Sequence, residues 1–293
     1  MIKIHKLDGS KIDLSKTILH HSADKIIAYK TVVGKPIYLG YYLPENYERN
    51  EKVPVFIFVH GGGWDTHKVF DDQPEWQGDY LGYLARYYAD KGFVSVSIDY
   101  RLSRDSGQAK NYGIIDCYED CCDALDYVIS HADEYGIDIQ KMYLLGESAG
   151  GHLAGALATF HYDRKYSFEK IFLVNAITHF YDDWKAGVPV NSSHPRLIGL
   201  SFDECAEFLA PLCQIKEDIG EVVLIHGEDD TTVNPEHSHQ FYDRVVEMGR
   251  MCELHLIEKT GHAFLLAEYY KRGLEACKIA IGIIDEKVSV CHE

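Results

Sequence analysis

The sequence predicts an α/β fold, a mostly parallel central sheet with helices on both faces. Three observations predict it. Short apolar runs rich in β-branched and aromatic residues alternate with longer segments of helical period from about residue 37 onward, which is how strands joined by helical crossovers read. Several runs, such as "VPVFIFV" at 53–59 and "MYLLG" at 142–146, are apolar without alternation, as strands buried on both faces require. No internal repeat, low-complexity tract or Pro/Gly-rich linker breaks the series over 293 residues, so one α/β domain is the economical organisation.

Seven strands are expected: "IYLGYYL" 37–43, "VPVFIFV" 53–59, "FVSVSID" 93–99, "MYLLG" 142–146, "IFLVN" 171–175, "VVLIHG" 222–227 and "CELHLIE" 252–258. Between and after them, residues 76–91, 115–135, 148–161, 235–249 and 262–285 carry a helical period and are long enough for crossovers. Gly136 in "DEYGID" reads as the stop of the second helix. Ala154, Gly155, Ala156 and Ala158 are small, which lets the third helix lie close on the sheet. The stretch 177–212 separates two strands by more than an ordinary crossover and reads as a small cap-like insertion.

Charge and composition exclude several classes of function. Twenty-nine basic against 46 acidic residues give a net charge of −17, and no Lys/Arg cluster offsets the repulsion a nucleic-acid backbone would feel. No run approaches 18 apolar residues, so no membrane span is expected. The amino terminus "MIKIHKLDGSKIDL" lacks the basic start and uninterrupted apolar stretch of a secretory signal, and a cytoplasmic location follows as the expectation. Eight cysteines at irregular spacings read as free thiols rather than a disulfide framework. Cys117 and Cys121 would share a helix face, but no second Cys or His pair completes a metal site. His237 and His239, two apart in a helix, point different ways. Neither metal nor cofactor is expected, and homo-oligomer formation is left open.

The chemistry concentrates in "YLLGESAGGHLAG" at 143–155. Gly146-x-Ser148-x-Gly150 follows a strand and opens a helix, the context in which a serine hydroxyl stands exposed on a sharp turn. A serine needs a base to take its proton and donors to hold the oxyanion formed on an acyl carbon. "HGGGW" at 60–64 follows the 53–59 strand, and its glycines leave N–H groups free to approach a ligand. Gly62 and Gly63, with Ala149, are the expected oxyanion donors. His60 is expected to orient that loop. Downstream, "LIHGEDDTTVNPEHS" ends a strand in Asp229 and Asp230, and "EKTGHAFLLAEYY" places His262 between the last strand and the last helix.

These motifs, with "IDYRL" at 98–102, occur in the order found in the α/β-hydrolase superfamily. The chain resembles its carboxylesterases of the hormone-sensitive-lipase and acetyl-xylan or feruloyl esterase type, over residues 37–285. The resemblance implies an α/β-hydrolase fold and a Ser148, Asp230, His262 triad. Asp230 occupies the acid position of H-G-x-x-D-x-x-V with Val233 in register, and Asp229 is the runner-up. It further implies a serine ester hydrolase acting on a small-molecule ester, with a short acyl group on a sugar or aryl alcohol; amide hydrolysis of the arylformamidase or peptidase kind on the same fold is the alternative, and a non-catalytic binding protein on this fold, of the kind that lacks a triad member, is a more distant one. Trp64, His67, Tyr181 and Trp184 are candidate substrate contacts. Glu147 resembles an acidic residue common beside the nucleophile, Asp120 a helix acid that holds loops near the site, and His152 a buried, hydrogen-bonded histidine. The cap region matches no family motif, so it leaves the substrate unspecified.

Overall fold

The computed structural model describes residues 1–7, 12–14, 22–45, 52–65, 81–102, 112–160, 166–180, 210–266 and 274–288. Nine strands form one sheet: β1 (Ile2–His5), β2 (Lys25–Val32), β3 (Lys35–Tyr42), β4 (Val53–Val59), β5 (Val94–Ile98), β6 (Ile137–Glu147), β7 (Lys170–Val174), β8 (Glu221–Gly227) and β9 (Cys252–Ile257). Their order is β1-β9-β8-β7-β6-β4-β5-β3-β2. The strands from β1 through β5 in that order pair in parallel, and β3 and β2 continue the sheet antiparallel.

Among the described residues the helices are α1 (Gly82–Ala89), α2 (Ile114–Ser130), α3 (Ala149–Thr159), the single turn α4 (Pro211–Gln214), α5 (Glu236–Glu247) and α6 (Leu274–Lys287). They divide between the faces because successive strand side chains point opposite ways. Val55, Ile57 and Val59 of β4 join the core that holds Leu125 of α2, Leu153 and Leu157 of α3 and Phe241 of α5. Phe56 and Phe58 face the other core, with Tyr88 of α1 and Ile281 of α6. Both phenylalanines are fully buried, each a contribution of about 2–3 kcal/mol before conformational entropy is subtracted.

Two strands lie outside the seven expected. β1 is a four-residue edge strand with Ile2 and Ile4 exposed, and β2 is an edge strand that alternates in burial; neither offers the apolar run that marks a strand covered on both sides. β6 begins at Ile137, earlier than the expected 142, because Ile137 and Asp138 pair with Val53 and Pro54 before a register shift. The segment expected as one helix over 262–285 opens instead with a 3₁₀ turn at Phe264–Leu266 and holds α6 from Leu274, with 267–273 outside the described residues. α1 occupies 82–89 of the expected 76–91, of which 76–80 lie outside the described residues. Of the cap-like insertion at 177–212, residues 181–209 lie outside the described residues.

Candidate active site

Ser148, Gly62 and Gly63, Asp230 and His262 fall where the parallel strands β6, β4, β8 and β9 give way to loops or helices at their carboxyl ends, the side on which sites of parallel α/β sheets are built. Ser148 follows β6 and caps α3, with φ 55° and ψ −120°. That conformation is costly for a residue with a Cβ, and tight packing imposes it. A Cβ on Gly146 would stand 2.2 Å from Gly150 O, and one on Gly150 would stand 2.2 Å from Val59 O and 2.3 Å from His60 O. The two glycines therefore let the start of α3 press against the end of β4, and the serine between them takes the strained turn. Its backbone N–H is held by Val174 O at 2.9 Å.

The side chains then align. His262 Nε2 lies 2.8 Å from Ser148 Oγ, and His262 Nδ1 lies 2.7 Å from Asp230 Oδ2. A carboxylate only accepts, so Nδ1 carries the proton and Nε2 receives the serine hydroxyl. Asp230 is buried; its Oδ1 accepts the N–H groups of Thr232 at 2.8 Å and Val233 at 3.0 Å. Asp229 is exposed. Burial alone would raise the Asp230 carboxyl, but hydrogen bonds from His226 and His262 outweigh it and hold the acid far below the usual range. For His262, burial disfavours the cation, whereas the bond to Asp230 and the charges of Glu147 and Asp230 outweigh it, and its pKa rises above the ordinary histidine value.

Glu147 is buried with Oε1 3.9 Å from His262 Nε2. Gly62 and Gly63 follow β4 with φ of 100° and 62°, and Trp64 continues the run at 57°. His60 beneath them is fully buried, its Nδ1 2.8 Å from Gly61 O and its ring stacked on Tyr100 at 4.2 Å. The Tyr100 hydroxyl donates to His60 O at 2.8 Å. Asp120 is likewise buried, bonded to Arg101 Nε at 2.6 Å and Lys30 Nζ at 2.7 Å; it anchors the loop after β5. His152, one turn beyond Ser148, is buried edge-on against Trp64 and Phe180. His67, Tyr181 and Trp184 lie outside the described residues.

Two residues of the array were not singled out in the sequence. Asn175, at the end of β7 with φ 45°, donates from Nδ2 to His262 O at 2.5 Å and accepts Gly227 N–H at 3.0 Å. It ties the histidine loop to β8. An asparagine closing an apolar strand is the only hint, since asparagine tolerates the left-handed region. His226, in the HG pair of β8, contacts Asp230 from below; its place in the motif pointed only to the register. Among the described residues no three His, Cys, Asp or Glu side chains come together to hold a metal ion, and no helix is long and apolar enough to cross a membrane. The six cysteines among them are free thiols.

A parallel sheet with a strained serine between strand and helix, hydrogen-bonded to a histidine that in turn bonds an aspartate, both from later strand ends, defines an α/β-hydrolase fold. Comparison with known proteins agrees and narrows it. Residues 39–245 match the BD-FAE family, and the chain belongs to that family. It is 27% identical over 287 residues to a protein of Oryza sativa subsp. japonica named "Probable isoprenylcysteine alpha-carbonyl methylesterase ICMEL1", covering 87% of this chain and 59% of that one. It is also 27% identical to tuliposide A-converting enzyme 2, chloroplastic, of Tulipa gesneriana, covering 83% of this chain and 66% of that one. The chain thus spans about three fifths to two thirds of the length of these curated relatives. In structure it superimposes on a thermophilic esterase of Thermogutta terrifontis with a TM-score of 0.72 at 22% identity, covering 93% of this chain and 96% of the other.

Proposed function

We propose that the chain is a serine carboxylic-ester hydrolase working through an acyl-enzyme. The observation that carries the reading is the continuous array Ser148 Oγ, His262 Nε2, His262 Nδ1, Asp230 Oδ2, with links of 2.8 and 2.7 Å. Ser148 Oγ attacks the acyl carbon as His262 Nε2 takes its proton, and the oxyanion that forms is received by the N–H groups of Gly62, Gly63 and Ala149. His262 then returns the proton to the departing alcohol oxygen. Water, deprotonated by the same nitrogen, releases the acid and restores Ser148. Asp230 stays ionised throughout and stabilises the imidazolium.

The substrate class belongs to the same proposal: a short acyl group, acetyl-like, on a sugar or aryl alcohol, in contact with Trp64, His67, Tyr181 and Trp184. Relatives named as a methylesterase and as esterases support an ester over an amide, and a structure of the Thermogutta terrifontis esterase is described as propionate-bound. No cofactor enters the reaction, and the location proposed is cytoplasmic. The test is a chain-length series of p-nitrophenyl esters run beside acetylated sugars and a matched formyl amide, with wild type and Ser148→Ala. Activity confined to short esters and abolished in the variant, with an organophosphonate labelling Ser148, is the expected result. Preference for long chains overturns the acyl assignment, a faster amide rate overturns the ester assignment, and retained hydrolysis in Ser148→Ala overturns the nucleophile.

A further inference from the structure

Asp230 stands between two imidazoles. His226 is fully buried in β8, with Nδ1 2.7 Å from Ser238 Oγ, Nε2 3.0 Å from Val233 O and the same Nε2 3.3 Å from Asp230 Oδ2. A carbonyl and a carboxylate can only accept, so Nε2 carries the proton and shares it between them. Nδ1 then holds a lone pair, and the Ser238 hydroxyl, also buried, donates to it. The result is a chain from the α5 serine to the nucleophile: Ser238 to His226 to Asp230, and from the other side Ser148 to His262 to Asp230. Both imidazoles meet the same oxygen, Oδ2, while Oδ1 is taken by two backbone N–H groups.

We infer that His226 is a positioning residue for Asp230: it pins the carboxylate and the Val233 carbonyl of the acid loop to β8 and competes with His262 for the charge on Oδ2. The inference rests on the triad reading above. Two consequences follow from the geometry. With donors on both oxygens, the carboxylate has no free lone pair to drive rotation away from His262. A second N–H on Oδ2 also draws off charge that would otherwise stabilise the His262 cation, so His226 tempers the basicity of the proposed general base. The groups that face the two rings bear on this balance. His226 faces Asp230 and lies within the field of His237 on α5, whose ring is tilted against that of His179 at 4.2 Å; His262 faces Asp230 and Glu147.

The experiment uses the full chain with His226→Ala, His226→Gln and Ser238→Ala. The pH profile of kcat/KM on p-nitrophenyl acetate and the low-field ¹H signal of the His262 Nδ1 proton in the resting protein are recorded for each. Removing the donor in His226→Ala should move the acid limb to higher pH by about 0.5 unit and shift the Nδ1 proton further downfield. It should also lower the plateau kcat about tenfold, less than the hundredfold of a full ångström misplacement, with KM little changed. His226→Gln, whose carboxamide N–H reaches the same place, should return both readouts toward wild type. Ser238→Ala should move them the same way as His226→Ala but less, since the donor Nε2–H is weakened and not removed.

An acid limb and Nδ1 proton at wild-type positions in His226→Ala, or a His226→Gln no better than alanine, overturns the inference. If His226→Ala does not fold, an unshifted Nδ1 proton in Ser238→Ala overturns it equally. The proton signal needs no substrate, so the two readings fail separately. A chain without esterase activity whose Nδ1 proton still shifts refutes the esterase proposal and leaves His226 in place, whereas an active enzyme whose proton does not shift refutes His226 alone.

Discussion

His262 Nδ1 donates to Asp230 Oδ2 at 2.7 Å, whereas Asp229, one residue earlier, turns its side chain to solvent. The loop fixes this choice: Asp229 N–H bonds Thr260 O at 2.9 Å and Asp230 N–H bonds Gly227 O at 3.2 Å, so the chain folds back over β8 with residue 230 beneath the imidazole. Asp230→Asn is expected to lower kcat by about 10⁴-fold, because the amide permits the wrong imidazole tautomer and no longer supports the cation. Asp229→Asn should leave kcat near wild type. The double variant Asp230→Asn, His262→Ala should be little worse than its more damaging single change, since these groups act as a unit. Steady-state kinetics with circular dichroism as a folding control decides it; a larger loss at Asp229 moves the acid by one residue.

Glu147 adds to the upward pKa shift of His262, the proposed base. His262 must be neutral to accept the serine proton, and its pKa is raised, so kcat/KM should fall on acidification with an inflection above the ordinary histidine value of about 6.5. Glu147→Gln removes a negative charge 3.9 Å from Nε2. The cation loses support, and the inflection should move to lower pH by a few tenths to about one unit. A pH profile whose acid limb stays put, or climbs, would show that Glu147 does not reach the base electrostatically.

Gly150→Ala should be among the most destabilising substitutions in the chain. Its new methyl would stand 2.2 Å from Val59 O and 2.3 Å from His60 O, both backbone atoms that cannot rotate away. A loss of about 3 kcal/mol or more is expected. Gly249→Ala meets nothing within 4 Å and carries only the strain of φ +70°, about 1 kcal/mol. Urea denaturation of both variants tests the difference; equal losses would refute close packing as the reason for Gly150.

His237 should make stability fall in mild acid. It is buried on α5, its Nδ1 accepts Thr178 N–H at 3.3 Å, and burial, with His179 and His226 nearby, lowers its pKa to about 3. Between that value and about 6.5 the unfolded chain binds a proton that the folded chain refuses, so unfolding free energy rises with pH across the window and is fully present above it. The slope from this one group approaches about 1.4 kcal/mol per pH unit. His237→Asn keeps an acceptor for Thr178 and removes the titration. Its stability between about pH 4 and 6 should therefore be flatter than wild type by up to one proton; parallel curves would disprove the assignment.

Much of the central sheet was legible because burial on both faces forces continuous apolar runs. β4 and β8 match their expected spans within a residue. The edges were not, since β1 and β2 keep exposed residues such as Ile2, Ile4 and Ile26 and are held by pairing to β9 and β3 rather than by a pattern of their own. The stop of α2 was read from Gly136, which adopts φ 49°, but the helix itself ends six residues earlier at Ser130 and a turn fills the gap.

The candidate nucleophile, acid and base were legible because the chemistry demands particular residue types at strand ends, and the H-G-x-x-D register separated Asp230 from Asp229. By itself the sequence determined the mostly parallel sheet and the elbow at Gly146–Gly150, and it pointed to these three residues as candidates. Only the tertiary structure decided that His262 stands 2.8 Å from Ser148 and 2.7 Å from Asp230, and that Asn175 and His226 brace the loops carrying them. Those distances depend on parallel register bringing the ends of β6, β7, β8 and β9 side by side. Residues 114 positions apart in sequence, as Ser148 and His262 are, leave no local pattern that records their contact.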